Sequence, residues 1–92
     1  MSIKYTKNFL DKLENIFAAS EYILRYEKGN FKSGYCLLKE NKIVIINKYY
    51  TLDGKINALI DIIKEIGFNP QDFEDKKIQD LLTELQQTEL KL

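Results

Sequence analysis

Residues 35–48 read YCLLKENKIVIINK, and this stretch decides the fold. Tyr35 to Lys39 and Ile43 to Lys48 are short runs rich in aliphatic, aromatic and β-branched side chains, the composition of strands. Glu40-Asn41-Lys42 between them is a polar link of hairpin length. Side chains alternate across a strand, so Ile43 and Ile45 share one face and Val44 and Ile46 the other. Both faces of this strand are therefore apolar.

Working outward, Tyr22 to Glu27 has two readings. A helical stripe running on through Leu24 with Gly29 as its stop is one. A strand with Tyr22, Leu24 and Tyr26 on one face is the other, and the Tyr and Ile content favours it. Before it, Phe9, Leu10, Leu13, Ile16 and Phe17 fall on one helical stripe, which predicts a helix over 4–20 with Thr6 or Ser2 as N-cap. After residue 48, Thr51 is an N-cap, with Asp53 in the first turn where the helix dipole favours negative charge. Leu52, Ile56, Leu59, Ile60, Ile63 and Ile66 form the next apolar stripe, and Gly67 ends it. Asn69-Pro70 reads as the start of a last helix over about 70–88, with Phe73, Ile78, Leu81, Leu82 and Leu85 apolar. Residues 88–92 read as a frayed tail.

The expected architecture is α+β, one domain over residues 1–92, in the order α-β-β-β-α-α. The simplest packing is a three-stranded antiparallel meander with the helices on one face. In a meander the 43–48 strand lies at the sheet edge. An apolar edge strand is an aggregation hazard that proteins cover or pair. A homodimer is one remedy, and Val44, Ile46, Leu81, Leu82 and Leu85 are its candidate interface residues. Cover by the last helix is the other.

Composition removes many chemistries. The 92 residues hold 14 Lys+Arg, 14 Asp+Glu, one Cys and no His. Without His there is no Ser-His or Cys-His dyad and no HExxH zinc helix. One Cys makes no disulfide framework, zinc ribbon or iron–sulfur cluster. No run approaches the roughly 20 apolar residues of a membrane span. The N-terminus shows no signal-peptide pattern, and a lone thiol suits a reducing compartment, so a cytoplasmic location is expected. No catalytic residue, metal site or cofactor is predicted.

Net charge is zero yet unevenly spread. Residues 1–48 carry nine basic and five acidic side chains, and residues 49–92 carry five and nine. Arg25, Lys28, Lys32, Lys39, Lys42 and Lys48 are interleaved with Tyr22, Tyr26, Phe31, Tyr35, Tyr49 and Tyr50. Such a sheet can bind single-stranded nucleic acid by phosphate contacts and base stacking. A neutral chain without the RNA-recognition signature argues against that use. The segment 28–34, with two glycines, lacks the spacing of a phosphate-binding loop. Asp72, Glu74, Asp75 and Asp80 do not match a calcium loop and read as a solvated helix face.

The residues Arg25-Tyr26, Gly29-Asn30-Phe31, Gly34-Tyr35-Cys36, the run Val44 to Lys48 and the helix from Thr51 resemble a small bacterial protein family without an assigned function. That resemblance covers Leu24 to Ile63 and implies a small stand-alone cytoplasmic protein with no stated activity. A hairpin ending in Ile46-Asn47, then a loop and an amphipathic helix, is also similar to the lead-in of small zinc metallopeptidase domains. There the helix carries HExxH. Here residues 55–63 read KINALIDII, with no His, so peptidase activity does not carry over.

The leading expectation is a non-enzymatic interaction module that forms a homodimer or binds a protein partner. The alternatives are a nucleic-acid-binding sheet, and a small-ligand site built from Arg25, Tyr35, Cys36, Asn47 and Lys48.

Overall fold

The computed structural model describes residues 4–28 and 35–87. The chain runs α1 (Lys7–Ala18), β1 (Ile23–Glu27), β2 (Tyr35–Leu38), β3 (Ile43–Asn47), α2 (Leu52–Ile66), a short 3-10 helix (Pro70–Asp72) and α3 (Lys76–Gln87). The class is α+β, as expected.

Thr6 starts α1. Its backbone is extended and its Oγ1 accepts the Phe9 N–H at 3.1 Å. The helix ends before residue 20, because the Ser20 hydroxyl donates to the Phe17 carbonyl and accepts the Tyr22 N–H, turning the chain into β1. In α2, Thr51 Oγ1 accepts the Gly54 N–H at 3.0 Å. Gly67 closes that helix at φ 75°, a left-handed conformation that glycine adopts without a Cβ penalty.

The expected meander is corrected. The strand order is β1-β3-β2, with β2 antiparallel to β3 and β1 parallel to it. The strand that is apolar on both faces lies in the centre, where both of its edges are paired. Val44 and Ile46 are fully buried against the helices, while Ile43 and Ile45 are half-buried between neighbouring strands. A central position suits a continuous apolar run, and the edges go to β1, which carries Arg25 and Glu27, and to the four-residue β2. The β2–β3 link is a tight turn closed by the Lys42 N–H on the Lys39 carbonyl, with Lys42 at φ 56°.

A single helix from residue 70 is also corrected. Asn69 caps a 3-10 turn, its Oδ1 accepting the Gln71 N–H, and Phe73 then leaves helical geometry with φ −112° and ψ 140°. Asp75 restarts the chain. Its carboxylate accepts the Lys77 N–H at 2.8 Å and its carbonyl accepts the Gln79 N–H, which is N-cap behaviour. The break buries Phe73 edge-on against Phe68, which also meets Phe17 and Tyr22 edge-on. Two start signals six residues apart thus give two helices.

The core lies between the sheet and the three helices. Leu13, Ile16, Phe17, Val44, Ile46, Ile56, Leu59, Ile62, Ile63, Leu82 and Leu85 are sealed in it. Each such side chain contributes about 1.5–3 kcal/mol relative to exposure. This corrects the expected interface. Val44, Ile46, Leu82 and Leu85 are 0% exposed and Leu81 is 9% exposed, so they fill the chain's own core. The tail 88–92, with Leu90 and Leu92, lies outside the described residues, as do Phe31 and Lys32.

Candidate functional site

All three helices leave one sheet face without a described cover. Alternation puts Leu24, Tyr26, Tyr35, Leu37, Val44 and Ile46 on the helical side, where the edge-strand side chains pack on the buried core. The opposite face carries Ile23 and Arg25 from β1, Ile43 and Ile45 from β3, and Cys36 and Leu38 from β2. Ile23 is 57% exposed and Leu38 is 40% exposed, while Ile43, Ile45 and Cys36 are half-buried. Glu27 and Asn47 complete this face at one end, paired across the β1–β3 ladder.

The structure brings together only part of the ligand group expected from sequence. Arg25 and Cys36 stand in one row, on either side of Ile45. They are two strand spacings apart, about 9.6 Å. Arg25 is ion-paired with Glu27 on its own strand. Tyr35 points to the other face. Burial, and secondarily the charges of Asp61 and Glu65, push its hydroxyl pKa up. Asn47 shapes the backbone locally. Its Oδ1 accepts the Tyr49 N–H at 2.9 Å and its carbonyl accepts the Tyr50 N–H, which turns the chain towards α2. Lys48 lies beyond β3, exposed, with its ammonium 5.4 Å from the Tyr49 ring centre. No group of three metal-ligating side chains occurs among the described residues.

Tyr26 and Tyr35, the aromatic residues of the described strands, lie on the helical side of the sheet. Tyr26 packs under α1 and α2, its hydroxyl donating to the Glu14 carboxylate and its ring lying 5.2 Å from the Lys55 ammonium. Burial, reinforced by the Glu14 hydrogen bond, raises its pKa well above the ordinary tyrosine value. Tyr22 and Tyr35 also pack on the core side. Of the lysines and aromatics that alternate in sequence, Lys42 lies 5.5 Å from the Tyr22 ring centre and Lys48 pairs with Tyr49. The segment 29–34 lies outside the described residues.

Two grooves flank the layers. One, of about 910 Å³, runs between α1 and α3, with Phe9, Ile78 and Leu81 between Lys12 on one side and Asp80 on the other. The second, about 340 Å³, lies along β1 beside α1, and is lined by Glu14, Phe17, Ala18, Tyr22, Leu24 and Tyr26, with Ile23 at its margin. Neither is lined by Cys36, Asn47 or Lys48. Sequence reading missed the second groove, because its lining comes from α1 and β1, which only the tertiary fold sets side by side.

Comparison with protein-family models, curated proteins and solved structures finds no match to this chain. Among the described residues no helix is long and apolar enough to cross a membrane.

Proposed function

We propose that this protein is a small non-enzymatic interaction module that works in the cytoplasm as a homodimer. The observation that carries the reading is the open sheet face, on which Ile23, Cys36, Leu38, Ile43 and Ile45 lie together with no described helix over them. A helix-free apolar face is a binding surface in the making, because burying it removes apolar area from water. One copy's face is small. Three strands of about five residues span roughly 14 Å by 16 Å. A stable interface uses about 800 Å² on each partner. Joining two copies is the direct way to enlarge it.

Support also comes from how the candidate ligand group is dispersed. Arg25 is ion-paired, Tyr35 is on the opposite face, and Asn47 holds a turn. Binding by surface complementarity needs no converging polar groups, whereas a small-ligand site does.

The test is solution mass by light scattering after size exclusion, over roughly a hundredfold concentration range. A mass of twice the 10.8 kDa chain is expected at the upper end. A single-chain mass throughout would refute the homodimer.

A further inference from the structure

We infer that two copies of this chain join through β1, antiparallel and in one register, with the partner's Tyr26 opposite Tyr26. This rests on the homodimer reading above and names the surface that makes it.

The backbone supplies the first argument. The Ile23 N–H donates to the Lys42 carbonyl at 2.8 Å, and the Lys48 N–H donates to the Glu27 carbonyl at 3.1 Å. In a parallel ladder these two bonds fix the polarity of the whole strand. Ile23, Arg25 and Glu27 direct their N–H and C=O groups towards β3. Leu24 and Tyr26 therefore direct theirs outward. Because β1 is an edge strand, this outward row is a ready template for another strand. Glu14, Phe17 and Ala18 of α1 lie across a groove from the inner-face residues of β1.

Charge supplies the second argument, and it selects the register and the partner. An antiparallel pairing centred on Tyr26 makes Tyr26 and the partner's Tyr26 a hydrogen-bonded pair. It sets Arg25 opposite the partner's Glu27, and Glu27 opposite the partner's Arg25. These are non-hydrogen-bonded positions, where side chains stand closest, and both residues lie on the open face. The two neighbouring registers with the same hydrogen-bond phase fail. Centring on Arg25 sets it against the partner's Arg25, and centring on Glu27 sets it against the partner's Glu27. Both neighbours thus meet like charge at the axis, and the chosen register does not. A two-fold axis requires this kind of self-complementarity, and the Arg25–Glu27 pair provides it. β2, the other edge, spans only Tyr35–Leu38 and carries no charged residue to set a register.

Pairing β1 with its mate converts two three-stranded sheets into one of six strands. The two apolar faces become a single surface about 29 Å wide.

The experiment compares light-scattering mass for the wild type, Arg25→Glu, Glu27→Arg and their equimolar mixture, with far-UV circular dichroism as a check of folding. Each single reversal places like charges across the axis and should raise the dimer dissociation constant at least tenfold. The mixture restores opposite charges at both positions and should give a heterodimer. Arg25→Gln serves as the milder variant if a reversal fails to fold. Lys64→Gln, at an exposed position of α2, should leave the mass unchanged. A wild-type monomer would refute the homodimer reading itself. A wild-type dimer that ignores both reversals would refute the β1 pairing alone. A dimer lost on Leu38→Glu and kept in the reversals would show face-to-face stacking instead.

Discussion

Ile45 and Ile46 are the same residue type, adjacent in one strand, and the structure assigns them opposite fates. Ile46 is 0% exposed between sheet and helices, while Ile45 is half-buried on the open face. Replacing each by Ala removes three carbons, and the loss of β propensity is shared. At Ile46 the transfer loss is about 2.4 kcal/mol. The cavity left in a close-packed core brings the total to about 3–4 kcal/mol. At Ile45 water and neighbouring side chains fill the space, so the cost is about 1–1.5 kcal/mol. The difference of about 2 kcal/mol corresponds to roughly 8–16 °C in melting temperature for a domain of this size. Urea unfolding followed by circular dichroism measures it, with equal m-values required for the comparison. Equal destabilisation by the two substitutions would refute the facing assignment of β3, and with it the open sheet face.

Three further outcomes follow from the geometry. Ile45→Cys places a thiol directly opposite Cys36 on the same face and should form an intrachain cross-link on oxidation, whereas Arg25→Cys, two strand spacings from Cys36, should not, as read by mass spectrometry. Gly67→Ala meets no steric contact but must hold φ 75°, so it should destabilise by about 1–2 kcal/mol in thermal unfolding, and Gly67→Asn by less. Tyr26 keeps its proton in the folded chain above pH 10, where the unfolded chain releases it, so the folded state binds more protons and stability falls as pH rises past 10. Urea midpoints at pH 9 and 11 should therefore fall more for the wild type than for Tyr26→Phe.

Local elements were legible in the sequence because their causes are local. Thr6, Thr51 and Gly67 mark helix ends through bonds or backbone angles made within one turn. Strands 23–27, 35–38 and 43–47 lie where composition places them, and the apolar stripe of α1 is buried as its spacing requires. The division after Phe73 was harder, since Asn69-Pro70 and Asp75 are both valid starts. What decides is whether Phe73 gains more by joining Phe68 in the core than by continuing a helix.

The candidate site was legible only in its ingredients. Arg25, Cys36 and Asn47 do share a face, but Tyr35 does not, because the pleat turns successive residues in opposite directions. The alternation of aromatics with lysines along the chain survives in part, as Lys42 on Tyr22 and Lys48 on Tyr49.

By itself, then, the sequence determined most helix and strand segments, though not the break at Phe73, together with which helical stripes are apolar and which chemistries lack their residues. Only the tertiary structure decided that β3 lies between β1 and β2 rather than at an edge. Strand order depends on pairing between residues some twenty positions apart, and neither propensity nor periodicity encodes it. That one decision moved Val44 and Ile46 from a supposed interface into the core, and made β1 the edge whose Leu24 and Tyr26 turn their backbone groups outward.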